Sequence, residues 1–402
     1  MLELAWKFIN NFFVDYLGAG ASMLLVLGGT GSGKTVALTT AFNTLANGVN
    51  GDSGTPRLTI NVKSSLEEYR KTVQRLTNAY REMETNGMLP VGTSENLMYT
   101  FRLELNGKGI SKMRYLDYRG GIRSDRDPEP EELETYRKAQ ENATMVAFII
   151  PGDLLLIYGN LCKIPEDSVE YQIQGMKVSR EMNQIKSQFL QINDRNPEAP
   201  ILFYVTKADY ISDESHIPQL LEKLLSDYRL LQGKRQILGC YSTLGKKIKI
   251  NDHFHIQEGM APEGFEIPIL LAAGHQLKRS GARSEKNQKK DLLEEKNKLI
   301  SERSSLKQKE RQMETKLNAR FIKLFAPEKG ELEELRKQIS EKDKKIQELD
   351  KKIQGITVIY TAEAQGVLTY LLEKYNNNIF YWNSKRKKEG VAEFFKDTAA
   401  MV

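Results

Sequence analysis

Two cysteines in 402 residues, Cys162 and Cys240, cannot staple a fold. Both read as core residues, and a reducing, cytoplasmic compartment suits the chain. Histidine is scarce as well. His253 and His255 form an H-x-H pair with no third ligand nearby, so they read as ordinary strand residues rather than a zinc site. No apolar run reaches the ~18 residues that a bilayer-spanning helix needs. A basic start and a small-residue cleavage site are missing from the N-terminus, so no signal peptide is expected. Charge of one sign is in no large excess: 59 Lys and Arg against 53 Asp and Glu leave a net +6. That balance does not argue for nucleic acid as a partner.

What is present is length and charge. The chain exceeds what one compact domain usually needs. Residues 1–22 carry Leu2, Leu4, Trp6, Phe8, Ile9, Phe12, Phe13, Tyr16 and Leu17, a helix with a broad apolar face. Packing on the main body is its first reading; membrane or partner contact is the second. Residues 23–27 form a short apolar run that ends in glycines, and 36–45 follow as a helix. Strand, glycine loop and helix open an α/β unit. Residues 62–86 read as helix. Strands 97–105 and 112–118 flank Asn106-Gly107-Lys108-Gly109, which is hairpin turn chemistry. Pro128 and Pro130 fall in an acidic loop. Strands at 145–150, 201–205 and 236–241 alternate with helices at 169–192 and 218–231. The alternation predicts a sheet with helices on both faces.

Near Arg279 the composition shifts to Lys, Glu, Gln, Leu and Ile. Leu332, Leu335, Ile339, Ile346, Leu349 and Ile353 keep spacings of three and four, with Lys342 interrupting. Leu292, Leu299, Leu306 and Met313 recur every seven, and Leu317, Phe321 and Leu324 continue the stripe. Residues 325–330 contain Pro327 and Gly330 and break the helix. An antiparallel coiled-coil hairpin over 283–354 follows. Its second arm is roughly 35 Å long at ~1.5 Å per residue. Residues 355–402 are expected to return to the body as a helical segment. Lys385-Arg386-Lys387-Lys388 reads as a solvated cluster.

The chemistry concentrates in Gly28-Gly29-Thr30-Gly31-Ser32-Gly33-Lys34-Thr35, which fits G-x-x-x-x-G-K-[ST] after a strand and before a helix. Gly28, Gly31, Ser32 and Gly33 would turn backbone N–H groups toward phosphate oxygens. Lys34 would reach the terminal phosphates, and the Thr35 hydroxyl would hold Mg²⁺. Thr206-Lys207-Ala208-Asp209 follows a strand and fits [NT]-K-x-D. The Asp209 carboxylate can accept two hydrogen bonds from guanine, and adenine offers no such pair. The Lys207 stem would cover the base. Asp117-Tyr118-Arg119-Gly120 fits D-x-x-G, with Asp117 toward Mg²⁺ and the Gly120 N–H toward the γ-phosphate. Thr93 precedes strand 97–105 and could close on Mg²⁺ and γ-phosphate, with Ser94 and Thr100 as neighbours able to take its place. Backbone at Tyr241-Ser242-Thr243 would meet the guanine carbonyl.

This order of motifs resembles the TRAFAC class of P-loop GTPases. The Leu89–Thr93 segment before a hairpin, together with the 116–121 run, is similar to bacterial double-GTPase proteins, some of which belong to defence systems. The resemblance covers about residues 23–278 and implies a P-loop NTPase sheet that binds GTP or GDP with Mg²⁺. It implies a regulatory GTPase with Lys34, Thr93 and Gly120 at the reacting phosphate and a partner engaged through the hairpin. Homodimer formation is compatible with it. The chain departs from the pattern at Gly121, where Ras-like GTPases carry a water-orienting Gln. Hydrolysis would then need a partner or another residue; Arg119 and Arg123 lie near. Two other readings stand. One is an ATPase of the coiled-coil genome-maintenance type; against it, Asp117 and Asp209 both precede the hairpin and 358–362 lacks a Walker B Asp. The other is a non-hydrolysing nucleotide-binding scaffold.

Overall fold

The computed structural model describes residues 21–47, 56–60, 66–87, 89–90, 97–105, 108–117, 130–232, 235–245, 260–319, 328–355, 362–382 and 388–400. The chain divides into two units: Met1–Lys278 with Thr361–Met401, and Arg279–Tyr360 with Val402.

The first unit is α/β. Its strands are β1 (Ala21–Leu27), β2 (Arg57–Ile60), β3 (Leu97–Leu105), β4 (Lys108–Asp117), β5 (Met145–Pro151), β6 (Ile201–Thr206), β7 (Ile237–Tyr241), β8 (Ile379–Trp382) and β9 (Lys388–Glu389). They form one mixed sheet in the order β2-β3-β4-β1-β5-β6-β7-β8-β9. The central strands β4, β1, β5, β6 and β7 run parallel, and the pairs at both edges are antiparallel. The helices of this unit up to β7 are α1 (Lys34–Asn47), α2 (Leu66–Asn86), α3 (Pro130–Asn142), α4 (Gly152–Leu161), α5 (Val169–Arg195) and α6 (Ile217–Asp227). It also contains the start of α7 (Ile267–Ala319).

Strands buried on both faces read as nearly continuous apolar runs, as β5, residues 23–27 of β1 and residues 201–205 of β6 do. Met23, Leu25, Leu27, Val146, Phe148, Ile150, Phe203 and Val205 cluster with Ala139 of α3, Leu154 of α4, Met182 of α5 and Leu221 of α6. The alternate residues Leu24, Val26, Ile149, Leu202 and Tyr204 are buried as well. A period of two puts them on the opposite face, so both faces are covered. The Phe148 and Phe203 rings stack 5.7 Å apart, which contributes about 0.5–1.5 kcal/mol beyond burial.

In the second unit α7 runs beside α8 (Glu328–Gly355). Lys296 pairs with Asp350 at 2.6 Å, Arg303 with Asp343 at 2.7 Å, and Arg336 with Glu310 at 3.0 Å. One partner rises by seven as the other falls by seven, so the helices are antiparallel and keep a heptad register. Leu332, Ile339 and Leu349 are buried along α8.

Four features differ from the sequence expectations. Residues 355–402 are not only helical: between α9 (Ala362–Tyr375) and α10 (Val391–Ala400) lie β8 and β9, and β8 joins β7. The Ile379–Trp382 stretch is aromatic and β-branched, as strands prefer. Pro130 opens α3 instead of lying in a loop, because a first helical position needs no N–H. Gly330 lies inside the first turn of α8. Cys162 is exposed at the end of α4, whereas Cys240 is buried. Also unforeseen are α4 and the edge strand β2. Residues 1–20, 251–259 with His253 and His255, and 385–387 lie outside the described residues. Among the described residues no helix is long and apolar enough to cross a membrane.

Candidate functional site

The site lies at the carboxyl ends of β1, β4, β5, β6 and β7, where parallel strands deliver their connecting loops to one edge. Residues 28–33 join β1 to α1. Gly31 has φ +73 and Gly33 has φ +92. Those left-handed values suit glycine, and they turn the loop tightly into the first turn of α1. The Ala37 N–H bonds the Gly33 carbonyl at 2.8 Å and starts the helix. The earliest N–H groups of α1 have no intrahelical acceptor. With the helix dipole they favour an anion at the loop.

Lys34 is nearly buried. Its ammonium donates to the Gly28 carbonyl at 2.8 Å and to the Gly29 carbonyl at 2.9 Å. The cation is thus folded along the loop's own backbone. Ser32 Oγ is buried without a hydrogen-bond partner. A hydroxyl in that condition carries an unmet desolvation cost, which a polar ligand atom would remove. Thr35, the second residue of α1, is half-buried. Asp117 ends β4 and pairs in register with Val26, two residues before Gly28. Its backbone therefore stands beside the loop entrance. Thr93 and Gly120 lie outside the described residues. Among the described residues no cluster of His, Cys, Asp and Glu could hold a metal alone. A Mg²⁺ site built from one hydroxyl, one carboxylate, phosphate and water needs no such cluster.

The second half of the site comes from β6 and β7. The Thr206 hydroxyl donates to the Ser32 carbonyl at 2.7 Å, joining residues 174 apart in sequence. Lys207 is left-handed at φ 54. Its ammonium lies 3.9 Å from Asp153, and Lys177 lies 3.8 Å from the same carboxylate. Asp209 Oδ1 accepts from the Leu244 N–H at 3.4 Å. Burial raises the Asp209 pKa above its usual range, opposed by hydrogen bonds from its own N–H, Leu244 and Thr243 and by the Lys207 charge.

Residues 241–245 differ in detail from the sequence expectation. Ser242 is fully enclosed; its N–H bonds the Val205 carbonyl at 2.9 Å and its Oγ takes the Tyr204 hydroxyl at 2.7 Å. The Thr243 N–H is spent on the Glu263 carbonyl at 3.1 Å. The Leu244 N–H is likewise taken, by Asp209 Oδ1, and the Gly245 N–H by Thr243 Oγ1 at 3.1 Å, so the loop spends these backbone donors on its own bracing. A second strap braces this loop: Glu263 N–H returns to the Thr243 carbonyl at 2.9 Å and Ala261 N–H bonds the Leu244 carbonyl at 2.7 Å. The strap leads through Glu266 into α7. Glu266 is buried and is met by the Tyr375 hydroxyl and by Lys374 at 3.0 Å. Asp153, Gly264 and Glu266 carried no sequence signal, because each matters only through a neighbour distant in the chain.

Compared with protein-family models and with curated proteins, the chain matches none.

Proposed function

We propose that this protein is a P-loop GTPase of the TRAFAC type, acting as a regulatory switch. The observation that carries the reading is the Thr206–Ser32 bond. It fastens a lysine-bearing, anion-favouring glycine loop to the strand end that carries Lys207 and Asp209. Phosphate chemistry and guanine chemistry then face one mouth. Gly28 to Lys34 would cradle the phosphates, and the unpartnered Ser32 hydroxyl fits a polar ligand there. Thr35 and Asp117 would hold Mg²⁺, joined by Thr93. Bound Mg²⁺ supplies neutralisation of the phosphate charge. Asp209 would accept the guanine N–H pair, beside the 241–245 loop that the Leu244 N–H ties to it. Gly120 would sense the γ-phosphate. The antiparallel helices α7 and α8 would form a coiled-coil hairpin that engages an effector protein.

The runner-up, an ATPase of the coiled-coil genome-maintenance type, lacks support at two points. Asp117 precedes the hairpin, on the strand next to β1. Asp209 suits guanine and not adenine. Binding and turnover of radiolabelled GTP and ATP by the purified chain separate the readings. GTP binding with slow turnover supports the proposal. ATP preference supports the runner-up, and binding without turnover supports a nucleotide-bound scaffold.

A further inference from the structure

One carboxylate at the glycine loop has no role in the reading above. Glu181 lies midway along α5. A Cβ built on Gly29 would stand 2.7 Å from Glu181 Oε2 and 3.7 Å from Oε1, so the carboxylate rests against the loop backbone. Among the described residues Glu181 has neither a hydrogen-bond nor an ion-pair partner. Its helix cannot easily withdraw. Val178, Met182 and Ile185 bury the same stretch of α5 in the core. Gly29 is also the residue whose carbonyl holds the Lys34 ammonium at 2.9 Å. An unpaired negative charge therefore stands beside a loop whose dipoles and lysine favour anions. Among the described residues it makes no polar contact that would explain its presence by stability.

Building on the nucleotide reading, we propose that Glu181 is an affinity-limiting residue: its charge weakens polyphosphate binding at residues 28–34 and speeds nucleotide release. The effect is electrostatic and acts through space, so it scales with the charge on the ligand. It leaves base recognition at Asp209 untouched. Gly29 belongs to the same device, because any side chain there would push the carboxylate off the loop. A protein that must exchange nucleotide without a dedicated exchange partner gains from such a charge.

The test uses the full chain with Mg²⁺ and compares wild type with Glu181→Gln, which keeps shape and removes charge. Guanosine, GMP, GDP and GTP are titrated at low and high salt. Glu170→Gln, in the first turn of the same helix, serves as the control. The expected gain for Glu181→Gln is near zero for guanosine and rises with phosphate number to about five- to tenfold for GTP, as Coulomb energies over several ångströms imply. It shrinks at high salt, and GDP dissociation slows in proportion. Should Glu181→Gln fold poorly, Glu181→Ala is read the same way. Wild type that binds GTP while both variants bind it equally or more weakly overturns the role of Glu181 and leaves the nucleotide reading standing. Wild type that binds no nucleotide removes both.

Discussion

Replacing Gly264 by alanine puts a methyl group where the loop 241–245 already stands. Gly264 has φ +81, and a Cβ there would lie 2.5 Å from the Tyr241 carbonyl oxygen and 3.3 Å from Ser242 Cα. Both neighbours are backbone, so neither can rotate away. The left-handed conformation alone costs alanine about 1–2 kcal/mol. Relieving the contact must also loosen the strap made by Thr243 with Glu263 and Leu244 with Ala261. Losing one such bond adds about 1 kcal/mol. The expected total is about 2–3 kcal/mol, or a Tm lower by on the order of 5–10 °C. The damage should be local in function. The Leu244 N–H would move from Asp209 Oδ1, so discrimination of GTP from ATP should fall while phosphate-dependent affinity survives. Thermal unfolding and competition binding read the two effects. A Gly264→Ala protein with wild-type Tm and unchanged discrimination would refute the claim that this strap sets the base loop.

Lys34→Ala should lower GTP affinity by roughly a hundredfold, since charge-assisted bonds to phosphate are lost; unchanged affinity in an equilibrium titration would sink the P-loop assignment. Acidification should weaken GTP binding earlier than an ordinary aspartate at 3.8 would allow. The sign follows from linkage: burial raises Asp209 in the free protein, guanine binding requires the carboxylate, and protonation therefore competes with ligand as pH falls through the raised value. Affinity that stays flat into the ordinary carboxylate range would count against Asp209 as base reader. Replacing residues 283–354 by a short Gly/Ser linker should leave GTP affinity nearly intact but abolish partner capture in a pull-down. Full activity of that deletion in cells would show that the hairpin is not the effector arm.

Much of the fold was legible because its signals are local. The all-apolar 23–27 and 201–205 runs, the glycines of 28–33 and the heptads of 283–354 each announce an element within one short window. The long-range features were not legible. Nothing in Ile379–Trp382 says that it pairs with β7, since antiparallel partners can lie anywhere in a chain. Nothing in Glu181 or Gly264 says which loop each will touch. Within the candidate site, spacing singled out Lys34, Thr206 and Asp209, and the bond from Thr206 to Ser32 joins their two segments. Not legible was that Ser242 and Thr243 turn their N–H groups to Val205 and Glu263 and that Leu244 turns its own to Asp209.

The central claim is that Asp209 reads guanine beside a phosphate-binding loop, and Asp209→Asn tests it most directly. The substitution exchanges two acceptors for one acceptor and one donor, which suits the extra carbonyl of xanthine. Competition of GDP, ADP and XDP for wild type and variant, with Mg²⁺, gives the answer. Wild type should prefer GDP over ADP and XDP, and the variant should prefer XDP over GDP. A variant that keeps full preference for GDP, or a wild type that takes ADP as readily as GDP, would contradict the account.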